Sequence, residues 1–439
     1  MIVFITSLIA LLSATTTLFA DDNWPQFRGS GGVVEDPTLP ETWSATENVK
    51  WKASIPGRGW SSPVVWGDLI FLTSVVSDGD EGPPQAGYYS GGQQDIPGGE
   101  HRWVVLAVDF ETGELRWSRE VHRGRPTEAR HLKNSYASET PVADASRVYA
   151  YFGNLGVFAF THEGEPAWDK RLEPLETRYG WGTAASPVLH QATLFIVNDN
   201  EKDSYLLALE ATTGKEKWRV SRDEKSNWST PFVWENELRT ELVTAGTNAV
   251  RSYDLDGNLL WQLSPMSSIT IPTPVSENGL LYLTSGYFGD EVRPVYAVKP
   301  GASGDITLEG GASSSEHVAW SWPQAGPYGT SPLVYDGIYY TLYDRGFLTA
   351  HDARTGKEIY DKKRIDDVSG PFTASPWGYD GKIFCLSEEG VTYVIRAGAD
   401  YEVLGTNDLD EFTLATPALV RGSLLIRTAS HLYRFAKEK

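Results

Sequence analysis

A Ser-Pro or Thr-Pro pair returns eight times along this chain: Ser62-Pro63, Thr140-Pro141, Ser186-Pro187, Thr230-Pro231, Thr273-Pro274, Ser331-Pro332, Ser375-Pro376 and Thr416-Pro417. The spacing is 41 to 46 residues except after Pro63 (78) and Pro274 (58), where insertions are implied. A second marker keeps phase with the first. It reads A-x-D/E-x-x-T-G-x-x-x-W/Y at 107–117, 208–218 and 350–360, with looser copies at 159–168 and 252–261. In each copy the glycine stands four residues before the aromatic, as a tight turn ahead of a final strand requires.

The stretch 329–360 shows what one period contains: short apolar strands separated by tight turns such as Asp336-Gly337 and Thr355-Gly356, with no helical periodicity. One such unit cannot bury its own faces, so copies at this period must stack on one another. The expectation is an all-β, eight-bladed β-propeller of four-stranded antiparallel blades. Val49, Trp51 and Ala53 belong to an outer strand with no inner strands before it, while 416–436 supplies three strands and no fourth. Pairing the N- and C-terminal strands completes the last blade and hides both edges of the sheet stack.

The chain therefore divides into 1–20, an arm at 21–47, and the propeller at 48–439, of which 48–55 completes the last blade. Residues 1–20 are apolar, uncharged and end in Ala20, which reads as a secretory signal peptide and places the protein in the periplasm or outside the cell. A retained N-terminal membrane anchor is the alternative reading. The arm carries Trp24, Phe27 and Trp43, and so is expected to lie across the domain rather than hang free.

With 439 residues, 41% of them hydrophobic, the chain can fill a large core. The repeat assigns Trp117, Trp168, Trp218 and Trp261 to packing between blades. A formal charge of -20 disfavours nucleic acid and anionic membrane surfaces as partners. No segment after residue 20 is long and apolar enough for an integral span. The single cysteine, Cys385, excludes an intrachain disulfide and reads as a buried, inert thiol in the strand KIFCLS.

In an up-and-down blade of strands A to D, the loops leading into A and joining B to C share one face, here the upper face. The A–B and C–D turns share the other. Loops into A carry Arg58, Trp60, His131, Lys133, Arg178, Trp181 and Trp228, and a B–C loop carries Arg345. Cations and aromatics around one axis suit a planar or anionic small ligand, a peptide or a protein partner. In the competing reading, Arg and Lys pair with Asp199, Asp344, Glu388 and Glu389 to seal the mouth. Asn198, Asp199 and Asn200 form an oxygen-rich loop, a weak candidate for a hard cation that is equally an ordinary polar loop, so no metal is assigned. Asp254-x-Asp256-Gly257 reads as a turn; no catalytic motif of the G-x-S-x-G, H-E-x-x-H or Walker type occurs, and no catalytic residue is assigned. The insertion at 77–102, with Tyr88, Tyr89, Gln93, Gln94 and His101, is expected over the upper face as a contributor to recognition. The one at 300–317 is expected to be ordinary surface loop on the other face.

WPQFRG, SSPVVWGDLIFLTS, HLKNSYASETPV and the Ala-x-Asp-x-x-Thr-Gly-x-x-x-Trp motif resemble those of secreted bacterial propeller proteins with pyrroloquinoline-quinone-like repeats, of the planctomycete type. The resemblance covers nearly all of the chain after residue 20 and extends more distantly to quinoprotein dehydrogenases and the outer-membrane assembly propeller. It implies two functions. One is an extracytoplasmic binding or scaffold propeller without a cofactor. The other is a pyrroloquinoline-quinone- and Ca²⁺-dependent oxidoreductase, for which Trp181 or Trp228 would offer a stacking floor and Arg58 or Arg345 a cation. The vicinal disulfide of those dehydrogenases cannot form here, because Cys385 has no partner cysteine.

Overall fold

A computed structural model describes residues 22–437 apart from 80, 81, 85, 89–91, 93, 94, 368 and 369. The segment 1–20 expected to be a signal peptide lies outside the described residues, as do Tyr89, Gln93 and Gln94. The strands form eight sheets, each with four antiparallel strands, set as the blades of a propeller. Blade six shows the pattern: Leu333–Tyr335, Ile338–Tyr343, Phe347–Asp352 and Glu358–Arg364. Its two middle strands are almost wholly buried between neighbouring blades, and its outermost strand faces solvent at most positions. Among the described residues no helix is long and apolar enough to cross a membrane.

Closure follows the expectation. Blade eight is built from Ala418–Val420, Ser423–Arg427 and His431–Phe435, and Val49–Ser54 is its fourth strand, antiparallel to His431–Phe435.

Both sequence markers turn out to join blades. At the axis, the N–H of six of the eight repeat Ser or Thr residues donates to the hydroxyl of the next: Ser62 to Thr140 at 2.9 Å, Thr140 to Ser186 at 2.9 Å, Ser186 to Thr230 at 3.0 Å. Thr273 to Ser331, Ser331 to Ser375 and Ser375 to Thr416 continue it at 3.0, 2.9 and 3.0 Å. The side chain accepts across the junction while the following proline brings no donor of its own. At the rim, the indole N–H of Trp51, Trp117, Trp168, Trp218 and Trp320 donates to a C–D turn carbonyl of the next blade, at 2.7 to 2.9 Å. The glycine of that turn is required by the ring beside it. A Cβ on Gly113 (φ +75) would stand 2.7 Å from Trp51 Cδ2.

Blade four departs from this pattern. Its Trp261 is fully buried and donates to Glu241 Oε2 of its own blade at 2.6 Å. The next blade's C–D connection is the insertion at 300–317, and this corrects the expectation of ordinary surface loop. Gly304–Asp305 pairs in parallel with Trp261–Gln262 as a fifth strand, with Ala302 and Ile306 buried at 0% and 5% exposure.

The arm crosses the lower face. Trp24 pairs with Val65 of blade one, Pro25 O accepts from Ala143 N of blade two at 2.9 Å, and Val33 pairs with Gly378 of blade seven. Between these points the arm passes the axis. It then buries Trp43 against Phe384 and Phe435, with ring centroids 5.9 and 6.0 Å away. Of the three arm aromatics that the sequence required to be covered, Trp24 and Trp43 are 3% or less exposed and Phe27 is half-buried.

Candidate functional site

The ring encloses an axial cavity of about 230 Å³. All eight repeat hydroxyl residues, from Ser62 to Thr416, line it, and Phe27 of the arm lines it from the lower side. Six of these hydroxyl oxygens already accept a neighbour's amide, and none of the eight donates to an acceptor among the described residues. Toward the upper face the wall turns aromatic and aliphatic, with Trp60, Trp181, Trp228, Ile269, Ile271, Tyr328 and Leu414.

The structure brings five of the sequence candidates together here: Trp60, His131, Lys133, Trp181 and Trp228. Trp60 packs on Phe412 at 5.6 Å, while the Trp181 and Trp228 rings lie 5.8 Å apart with 36° between their planes. Trp228 Nε1 donates to Gly182 O at 2.7 Å. Burial, with Lys133 close by, pulls the His131 imidazole down to about 4, so it is neutral at neutral pH. Its ring stands edge-on to Trp181 at 5.3 Å, and its Nδ1 accepts from Lys133 N at 3.2 Å.

The other three candidates stand elsewhere. Arg345 lines an adjoining upper hollow of about 360 Å³ and covers the Tyr88 ring at 5.4 Å. Arg58 does not line the axial cavity; its guanidinium donates to Gly82 O in the first insertion. Arg178 does not line it either. It belongs to the 3-10 turn Arg178–Gly180, donates to Ser268 O at 3.1 Å, and lines an outer depression with Glu128, Glu176, Glu201 and Lys225.

Much of the charge at this face is paired, as the competing reading required. Lys133 forms an ion pair with Glu388, whose side chain has no exposed surface. Arg222 grips both carboxylate oxygens of Asp199 at 2.8 and 2.9 Å. Asn200 Nδ2 donates to Asn198 Oδ1 at 2.9 Å, and Asn200 Oδ1 accepts the N–H groups of Lys202 and Asp203 at 2.8 and 2.9 Å. The oxygens of Asn198, Asp199 and Asn200 therefore serve a buried arginine and their own loop. The first insertion reaches over the mouth at its described positions. Gly87 O accepts from Lys133 Nζ at 3.0 Å, Tyr88 OH donates to Asp344 O at 3.1 Å, and Gly92 O accepts from Trp181 Nε1 at 3.0 Å.

Sequence reasoning missed Glu139. It is 1% exposed between the cavity residues Ser138 and Thr140, and it accepts from Thr183 Oγ1 and from Gly153 N. Burial pushes its carboxyl up to about 7 against those hydrogen bonds. Nothing local marked it, since the burial comes from the ring.

The fold is an eight-bladed propeller, and about a third of the chain is similar in sequence to a family with pyrroloquinoline-quinone-like repeats. Residues 154–300 match the family described as outer membrane protein assembly factor BamB. Among solved structures, BamB from Moraxella catarrhalis is similar at 10% identity over 83% of this chain and 99% of that one, with a TM-score of 0.53. The quinohemoprotein alcohol dehydrogenase from Comamonas testosteroni is similar at 12% identity over 94% and 80%, with a TM-score of 0.58. The computationally designed Ika8 protein has the same TM-score at 11% identity over 88% and 99%. No curated protein matches this chain in sequence.

The residues present do not fit a Ca²⁺-bound quinone. Ca²⁺ takes six to eight oxygens, carboxylates prominent among them. The axial cavity has no Asp or Glu in its wall, and the described residues contain no cluster of three His, Cys, Asp or Glu able to hold a metal.

Proposed function

We propose that this protein is an extracytoplasmic, non-catalytic binding propeller that receives a protein or peptide partner on its upper face. The observation carrying this reading is an apolar collar around a mouth where Lys133 and Asp199 are already paired. Leu132, Tyr88, Phe288 and Tyr179 are 62%, 51%, 51% and 49% exposed on loops of that face. Exposed aromatics held on a rigid scaffold, with nearby polar groups already satisfied, suit a docking surface. They offer little to a reaction that needs free acids, bases or metal ligands.

A photo-crosslinking residue placed at Leu132 or Phe288, in cells that make the protein, tests the reading. The same residue at Leu238 or Leu259, which are exposed on the lower side, is the control. Discrete adducts from the upper positions alone are expected; equal labelling from both faces, or none, would reject it. Titration with pyrroloquinoline quinone and Ca²⁺ is expected to leave tryptophan fluorescence without a saturable change. A Ca²⁺-dependent saturable quench would move the reading to a quinone-dependent oxidoreductase.

A further inference from the structure

The outer strand of each blade is an open sheet edge, and a bare edge pairs with another strand unless charge or cover prevents it. In blades one, two, three, six and eight that strand carries two or more charged side chains. Blade four's outer strand, Leu259–Leu263, has none and is covered by the chain's own fifth strand, Gly304–Asp305. Blade five's, Val318–Trp322, has none either. It is buried or half-buried up to Ser321, whose Oγ donates to Ser313 O of the second insertion at 3.2 Å.

Blade seven has neither protection. Its outer strand, Val403–Asp408, carries no charge before Asp408, and Val403, Leu404, Gly405 and Thr406 are all exposed. No strand lies beyond it. Among the described residues the backbone of these four bonds only to the neighbouring strand Val391–Arg396. Gly405 stands opposite Val394, the register position where blades one and three place Trp117 and Trp218. A Cβ on Gly405 would meet nothing within 4 Å, so the rim is bare where other blades carry an indole. The strand is fixed all the same: the buried Asn407 accepts the Trp43 N–H of the arm at 3.1 Å and donates to Glu41 O at 3.1 Å.

Both ends of this edge are acidic. Asp400 precedes the strand, Asp408 closes it and Asp410 follows, all three exposed and without an ion pair among the described residues. Glu402, by contrast, is already held by Arg396 Nε at 2.9 Å.

We propose that blade seven receives an extended segment of a partner protein as a fifth strand, uncharged at its centre and with a lysine or arginine at each end. Main-chain hydrogen bonds supply the pairing, and the acidic ends supply the charge preference. Blade four shows that a blade of this ring accepts a fifth strand. A second copy is the poorer occupant. Antiparallel self-pairing centred on Gly405 brings Asp400 of each copy toward Asp410 of the other, so like charges meet. The rim surface stands apart from the upper face and does not depend on what docks there.

The test uses the chain from residue 21 onward and three capped, fluorescein-labelled peptides: KTVTVTK, the charge-reversed ETVTVTE, and KTVTVTK with its central amides N-methylated. Fluorescence anisotropy follows binding, and hydrogen exchange maps it. KTVTVTK is expected to bind saturably and to slow exchange within Val403–Asp408. The other two peptides should bind more weakly by about tenfold or more, and so should KTVTVTK to the double variant Leu404→Lys, Thr406→Lys, which gives this edge the charge of its neighbours. Absence of saturable binding, equal binding of either control peptide, affinity that survives the lysine variant, or protection confined to other blades would each overturn the proposal. So would a dimer, seen by sedimentation, that the lysine variant dissolves. If that variant does not fold, exchange of the native chain with KTVTVTK and its N-methylated form decides.

Discussion

Lys133 and Glu388 form an ion pair above the axial cavity, although one stands in the loop ahead of blade two and the other in the B–C loop of blade seven. The pair fastens together parts of the ring that no strand pairing connects. Glu388 has no exposed surface, so removing its cation leaves a buried charge unbalanced. Lys133→Ala should lower stability by about 2–4 kcal/mol, read from denaturant unfolding. The double variant with Glu388→Gln should recover most of the loss. If the single variant costs nothing, the pair does not hold in solution.

The rim contacts give a controlled comparison between two glycines. Gly113 and Gly337 have nearly the same backbone, φ +75 and +73, but a Cβ on Gly113 meets Trp51 whereas nothing lies within 4 Å of one on Gly337. Gly337→Ala should cost roughly 1–2 kcal/mol, the strain of a left-handed residue. Gly113→Ala should cost about 1–3 kcal/mol more, because the indole is displaced from the seam between blades eight and one. Equal losses would mean that the indole yields freely. Deleting 48–55 should expose the last blade's edge and produce aggregation, checked by light scattering.

Glu411 predicts an acid-sensitive closure. Burial would raise its carboxyl, but hydrogen bonds from Lys52, Tyr433, Thr428 and His431 outweigh that and hold it at about 2. A depressed carboxylate stabilises the fold above its unfolded value of about 4.5, and the contribution is lost as pH falls from there toward 2. Glu411→Gln should therefore lower the melting temperature at pH 7 and differ little from the native chain near pH 2. A gap that stays constant with pH would rule out ionisation as the cause.

Glu139 predicts the opposite trend. Its carboxyl lies at about 7 in the fold against 4.5 when unfolded, so the folded chain keeps the proton longer. Its contribution is fully present below 4.5 and declines as pH rises through 7. Glu139→Gln should gain on the native protein across that window, by on the order of 1–3 kcal/mol. A difference that does not change from pH 5 to pH 8 would contradict it.

The blades were legible because both repeat markers are contacts written in single residue types. Six junctions at the axis use a hydroxyl beside a residue without an N–H, and five at the rim use an indole over a glycine. Trp51 exposed the closure because an outer strand without inner strands has only one place to go. Trp60, His131, Lys133, Trp181 and Trp228 were also readable, since ring geometry turns their loops toward the axis. Arg178 was not. It sits in a tight turn with Tyr179 at φ 52, which carries its side chain to the outer depression. Nor did the Gly- and Ser-rich composition of 300–317 reveal a strand, because Gly304–Asp305 is held by its register on Trp261 and not by its own propensity.

Stacked repeats ordinarily come apart from their ends, since each terminal unit has a neighbour on one side only. Here Trp51 pairs opposite Arg434, so Val49–Ser54 and His431–Phe435 lie in one sheet, and Lys437 Nζ reaches Pro37 O of the arm at 2.8 Å. Such a ring has no weakest terminal unit from which fraying can begin. Amide hydrogens of blade eight should exchange as slowly as those of blade four, as measured by hydrogen exchange.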